Sequence, residues 1–450
     1  MGVRPRAAGT GIPPRPPDTT STISNDASDS VRPEPVPSFS VPRSYASPSL
    51  SSSSSSGAER LSLEQMLAGE WYKTPEGACL VVERRYPVDH PRGPVSLGHV
   101  LHARPSVLWD AGRVSHLRDL DARKLLFLDT ETTGLSGGTG TYVFLVGVGF
   151  FSPDGTQAVI RQYFMPDVSA ERAMLHALNE LFCEFGAVVT FNGKSFDWPL
   201  LETRYTYSRL RCVLRDPPHL DMLGPSRRLW KERLPSCSLD MLEMCVLGVD
   251  RGFDVPGWRI PSLYFQYLRA GHPGHVLPVF SHNEQDLLTL MALAGHVGRI
   301  LDRPDEVDLQ AAEWFGLGKL YEDLGRYHDS LRAYERGLEL DASSDLRAVA
   351  LRRLSYLYKY LQQREEAVAI WSRLAAEGTH LMFPYLELAK HYEHRVKDYR
   401  AAEHFTLLAM QRARTAVERA ELEHRLNRVR KRLLGTRTAS SSPRSQDTLP

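Results

Sequence analysis

The hydrophobic pattern divides the chain into regions of different period. Residues 121–303 alternate short apolar runs with stretches of helical spacing. "KLLFLDTE" and "TYVFLVGVGFF" are nearly continuous apolar runs of strand length, the pattern of strands covered on both faces. "AVVTF", from Ala187, is a third such run. Between them, "SAERAMLHALNELFCEF" places Leu175, Leu178, Phe182 and Phe185 at helical spacing, and "NEQDLLTLMALAGHVGRI" closes the region as a helix. Strands alternating with helices predict an α/β domain with a mixed central sheet flanked by helices. Residues 60–120 are mixed, with "ACLVVERRYP" as a strand, and are expected to extend that domain.

After Pro304 the pattern is helical only, and it repeats. Leu317, Leu354 and Leu388 recur in register with Tyr321, Tyr358 and Tyr392, and with Tyr334, Trp371 and Phe405. The first set is spaced by 37 and then 34 residues, close to the tetratricopeptide period of about 34. Residues 308–434 are therefore expected to form an all-α set of tetratricopeptide-like helix pairs, ended by a basic capping helix. Residues 1–58, rich in Pro, Ser and Arg, and residues 435–450 bury too little apolar surface to offset ordering entropy and are expected to be disordered.

Composition narrows the function classes. The formal net charge of the 450 residues is +1, so any contact with nucleic acid must come from local patches. The five cysteines lack CxxC spacing, which argues against a zinc ribbon or a disulfide framework and fits a cytoplasmic protein. No apolar run reaches the roughly 18–20 residues that span a bilayer, so no membrane contact is expected.

The candidate chemistry lies in four places. "LSGGTGTY" follows the first strand, but a phosphate-binding loop needs a Lys-Ser/Thr pair opening a helix; Thr141-Tyr142 lead into a strand instead. Those glycines are expected to turn a hairpin. Asp129 and Glu131 are two apart in the first strand, so both project to one face. Two such carboxylates repel unless a cation neutralises them, and oxygen ligands suit Mg²⁺ or Mn²⁺; the bland reading is a pair of solvated acids. Asp197 precedes Trp198-Pro199 and is expected to cap a helix, with a carboxylate also free for a metal. His282 and Asp286, four apart, share one helix face beside the apolar Leu287, Leu290 and Met291. A histidine so placed could act as a general base on water; the bland reading is a surface ion pair. A locally basic run (Arg204, Arg209, Arg211, Arg215, Arg227, Arg228, Lys231 and Arg233) is either a set of solvated helix faces or a phosphate-contacting surface.

In order, D-x-E, Asp and H-x-x-x-D form one constellation. With "FLDTETTGLSGGTGTYVFLVGVG", "VVTFNGKSFDWPLLETR", "SLDMLEMCVLG" and "FSHNEQDLL", the chain resembles the DEDD 3′→5′ exonuclease superfamily of the RNase H-like fold. More narrowly, it resembles the YprB-type proteins, which join such a domain to C-terminal tetratricopeptide repeats. The resemblance implies that Asp129, Glu131, Asp197 and Asp286 hold two Mg²⁺ or Mn²⁺ ions, with His282 as the base and Asp221 in support. It implies a nuclease acting on a single-stranded end of DNA or RNA, with a protein partner for the repeats. His282 departs from the histidine branch of the superfamily: it stands at the spacing to the last acid that the tyrosine branch uses. A second class stays open, a nucleic-acid-binding scaffold whose nuclease-like domain turns nothing over.

Overall fold

The apolar runs become neighbouring strands of a single seven-stranded sheet. The computed structural model describes residues 61–112, 114, 119–134 and 140–440. They belong to one unit of contacts, Arg60–Pro450. The tail expected at 1–58 and residues 441–450 lie outside the described residues.

The chain begins with α1 (Leu63–Leu67), β1 (Glu70–Thr74), β2 (Gly77–Pro87), a short hairpin of β3 (Pro91–Arg92) and β4 (Val95–Ser96), α2 (His99–His102) and α3 (Pro105–Gly112). Then come β5 (Leu125–Thr132), β6 (Val143–Phe151), β7 (Gln157–Phe164), α4 (Glu171–Phe182), β8 (Ala187–Thr190), α5 (Asp197–Tyr207) and β9 (His219–Asp221). Helices α6 (Leu223–Trp230), α7 (Leu239–Cys245), α8 (Ile260–Ala270) and α9 (Leu277–Asp302) complete the α/β part. The sheet order is β1-β2-β7-β6-β5-β8-β9. Strands β5, β8 and β9 run parallel, and the other pairings are antiparallel. The antiparallel β5/β6 pair agrees with a hairpin link, although residues 135–139 of that link are not described.

Both faces of the sheet are covered, which explains the unbroken apolar runs. Leu125, Phe127 and Val189 pack with α9 on one face, while Leu126, Leu128 and Val188 pack with α4 and α5 on the other. Helix α9 approaches β6 closely because the strand carries glycines there. A Cβ on Gly147 would lie 2.0 Å from Asn283 Oδ1, and one on Gly149 would lie 3.0 Å from Met291 Sδ. Alternate glycines in a strand mark a close approach of another element. On another side of α9, Gly295 leaves room for α2: a Cβ there would come 2.9 Å from the Val100 amide nitrogen.

The helical part follows as pairs: α10 (Ala311–Asp323) with α11 (Tyr327–Glu339), α12 (Ser344–Tyr360) with α13 (Arg364–Ala376), and α14 (Phe383–His391) with α15 (Tyr399–Met410). The recurring Leu317, Leu354, Leu388, Tyr334 and Trp371 are all buried. The turns between paired helices each use a left-handed residue, Gly325 (φ 72°), Gln362 (φ 63°) and Lys397 (φ 61°). Only the first is glycine, the residue that adopts this conformation at least cost. The last helix, α16 (Ala416–Ser440), runs past residue 434, where an end was expected. Extending a formed helix fixes one residue per added bond, so a polar tail can continue it.

The first repeat is fused to the α/β core. Gly316 of α10 lies against α6, where a Cβ would meet the Arg228 carbonyl oxygen at 2.4 Å. Glu313, also on α10, accepts from Trp230 Nε1 at 2.7 Å and Arg233 at 2.6 Å.

Alanine at Gly147 should force Asn283 and α9 outward. Gly147→Ala is expected to lower stability by about 1–3 kcal/mol in urea unfolding of the full chain. Gly140→Ala, with nothing within 4 Å of the added methyl, should stay within about 0.5 kcal/mol.

Candidate active site

The site lies at the carboxyl end of β5, where an open α/β sheet most often binds its ligands. Asp129 pairs across the sheet with Gly147, and the space above that glycine is filled by Asn283. Asn283 Nδ2 donates to Asp129 Oδ2 at 2.8 Å and is itself held by Gln162, whose amide donates to Asn283 Oδ1 at 2.9 Å. Thr130, the residue after Asp129, donates to Asp197 Oδ1 at 2.5 Å. The β5/β6 register shifts between Glu131 and Thr132, a bulge that re-aims the strand end. Asp197 is buried as the first residue of α5, with Phe196 in the cap position expected of Asp197. The aspartate makes no side-chain cap bond to the helix, and its Oδ1 accepts from the Thr130 hydroxyl.

These acids disturb one another. Burial, then the charges of Asp286 and Asp197, push the Asp129 carboxyl well above its usual range. Burial, then Asp129, Asp286 and Asp197, do the same to Glu131. Asp197 is pushed up to about 6, chiefly by burial. Glu131 is 8% exposed, and no described residue makes a hydrogen bond or ion pair to its carboxylate. A buried carboxylate without a partner is costly, and a cation removes the cost. Among the described residues no three such groups are already drawn up as a finished ligand set. The donor chemistry nonetheless fits a hard divalent cation, since all four groups are carboxylates.

One cation does reach the cluster, and it is part of the protein. Arg251 donates to Asp286 Oδ1 at 2.5 Å and to Asp254 Oδ2 at 3.0 Å, and it also pairs with Glu243. Glu243, on α7, is 1% exposed and is further bonded by Arg92 and by Thr289. Residues 60–120 thus supply a buried arginine to the network behind the site. His282 Nδ1 lies 2.9 Å from Asp254 Oδ2, and its Nε2 faces Asp286 Oδ2 at 3.4 Å. Against the effect of burial, His282 and Arg251 hold the Asp254 carboxyl below its usual range.

Sequence reasoning did not single out Arg251, Asp254, Glu243 or Gly147. The two glycines of "VGVG" were the available signal for a helix crossing the strand; the loop residues carried none. Asp221 accepts the amides of Asn192 and Leu223 at 2.8 and 3.0 Å, and so fixes the turn before Asp197. Part of the basic run is committed to structure. Arg204 is buried on Glu171, Arg233 is bound to Glu313, and Arg228 pairs with Asp323, whereas Arg209, Arg211, Arg215, Arg227 and Lys231 remain exposed.

The mixed sheet with its carboxylate-lined end defines an RNase H-like domain followed by tetratricopeptide repeats. Residues 126–297 match the RNase_H superfamily, and residues 311–344 match the tetratricopeptide repeat. The chain is 32% identical over 328 residues to YprB of Bacillus subtilis (strain 168), covering 71% of this chain and 78% of that one. It belongs to the YprB family. Among solved structures, the family B DNA polymerase of the hyperthermophilic archaeon Pyrobaculum calidifontis overlaps 47% of this chain and 28% of its own, at 17% identity and a TM-score of 0.30. No helix among the described residues is long and apolar enough to cross a membrane.

The raised carboxyls have a measurable consequence when divalent ions are chelated. A group whose folded pKa is raised contributes most when protonated, and that contribution is lost as pH rises from the ordinary 3.8 of Asp197 through about 6. In EDTA, Asp197→Asn should therefore gain stability over the wild type across this window, by at most ~3 kcal/mol at neutral pH. Urea unfolding of the two proteins at a series of pH values checks this.

Proposed function

We propose that the protein hydrolyses phosphodiester bonds as a metal-dependent 3′→5′ exonuclease acting on single-stranded ends of DNA or RNA. One observation carries this reading: the mutually repelling carboxylates Asp129, Glu131, Asp197 and Asp286 gather where β5 meets α5 and α9, with His282 beside the last. These four would hold Mg²⁺ or Mn²⁺, two ions on the pattern of the superfamily. Bound there, the metal would polarise a phosphate oxygen and lower the pKa of the attacking water.

The protein's own groups perform the remaining tasks. Asp254 fixes the imidazole of His282 through Nδ1, which leaves Nε2 directed into the site. In that tautomer Nε2 can accept a proton from water as a general base. The acid that orients His282 therefore comes from the segment before α8, outside the helix that carries His282 and Asp286. Asn283 keeps Asp129 Oδ2 in place, and Thr130 does the same for Asp197. Lys194, exposed in the loop that Asp221 fixes, is the residue we propose for contact with a phosphate of the substrate. The repeats are the surface proposed for a protein partner.

A scaffold that grips nucleic acid without cutting it is the competing reading, and Arg251 seated on Asp286 is the observation that favours it. End-labelled single-stranded DNA and RNA separate the two. The expected result is stepwise shortening from the 3′ end with Mg²⁺ or Mn²⁺, none in EDTA, and a loss of roughly a thousand-fold or more in Asp129→Ala. Binding without shortening in either metal would leave the scaffold, and undiminished Asp129→Ala activity would remove these carboxylates from the chemistry.

A further inference from the structure

The loop that delivers Arg251 and Asp254 to the site also carries two aromatic side chains that the protein does not bury. Phe253 is 97% exposed and Trp258 is 71% exposed. Single exposed apolar side chains are ordinary, but two large aromatic rings left this open within one short segment beside the carboxylates offer a surface for a ligand. The loop itself is well anchored. Arg251 is tied to Glu243, Asp254 and Asp286, the Val255 amide donates to Asp254 Oδ1 at 2.7 Å, and Val255 is buried. Gly252 turns the chain with φ 66°, and its amide donates to Asp250 at 2.8 Å. Inward-facing Arg251, Asp254 and Val255 therefore hold Phe253 and Trp258 outward on a fixed frame. Side chains on a fixed frame lose less entropy when a ligand covers them.

Their position gives the ligand. Phe253 lies in sequence between Arg251, which binds Asp286, and Asp254, which binds His282, so its backbone belongs to the segment that borders the carboxylate cluster. Arg259, next to Trp258, is exposed and has no ion pair among the described residues. Exposed rings beside a free guanidinium suit a chain of flat bases joined by phosphates. A ring can lie on a base only where that base is not stacked within a duplex, so the pair favours an unpaired strand.

We infer that Phe253 and Trp258 form a stacking platform for the unpaired bases next to the scissile end, with Arg259 on the adjoining phosphate. This rests on the nuclease reading of the carboxylate site and assigns the side chains that would hold its unpaired substrate strand. Both side chains are largely exposed, so alanine at either should leave the fold intact.

Fluorescence anisotropy of the full-length protein with a labelled oligothymidylate, an oligouridylate and a blunt DNA duplex, with Ca²⁺ as the divalent ion, tests it. Phe253→Ala and Trp258→Ala should each weaken single-strand binding by about ten-fold. Phe253→Tyr and Trp258→Phe should bind within about two-fold of the wild type, because any aromatic face can stack. Duplex binding is expected to be weaker than single-strand binding and should not change in the variants. Alanine variants that bind single strands like the wild type would overturn the platform and leave the loop free for a protein contact. Equal losses for duplex and single strand would overturn its selectivity. Shortening of strands by the wild type with Mg²⁺ is scored separately. If that fails while the alanine variants still lose affinity, the nuclease reading falls and the platform stands.

Discussion

Helix α9 lies against β6 where Gly147 and Gly149 present no side chain, and the site depends on that closeness. The gap over Gly147 is filled by Asn283, which reaches Asp129 on the neighbouring strand. With Asn283 so placed, the same helix turn carries His282 and Asp286 to the end of β5. A bulkier strand would hold the helix off, and the last acid and its histidine would no longer meet the first. The apolar length of α9 fixes the arrangement, since Leu287, Leu290, Met291 and Val297 are all buried in the core beneath it.

Closeness brings electrostatic conflict. Four carboxylates lie together where solvent is scarce; burial raises three of them, and the charges of the others add to it at Asp129 and Glu131. Among the described residues Arg251 is the cation bonded to the cluster, its charge shared among Glu243, Asp254 and Asp286, with Arg92 on Glu243 behind it. Glu131 is left without a partner among the described residues. Sites tuned this way are where chemistry is expected, since a well-packed structural cluster would pair its acids off.

Much of this was legible in local pattern. The period-two placement of Asp129 and Glu131, the i,i+4 placement of His282 and Asp286, and the repeat of Leu317, Leu354 and Leu388 all depend on neighbours within one element. What was not legible depends on partners far along the chain. Arg251 and Asp254 sit in an irregular loop with no periodicity, and their roles come from contact with α7 and α9. The basic run shows the same limit in reverse: Arg204, Arg228 and Arg233 look available in one dimension, but Glu171, Asp323 and Glu313 claim them in three. Asp197 stands one residue past the cap, as the first residue of α5, and its carboxylate accepts from Thr130 on the neighbouring strand.

The central claim is that the buried carboxylates form a cation site, and titration calorimetry of Mn²⁺ into the full-length protein measures it directly. Metal displaces protons from carboxyls whose pKa is raised, so the heat should depend on the ionisation enthalpy of the buffer at mildly acidic pH. The account predicts saturable Mn²⁺ binding with net proton release, both strongly reduced in Glu131→Gln. Absence of binding, or binding that Glu131→Gln leaves unchanged, would contradict it.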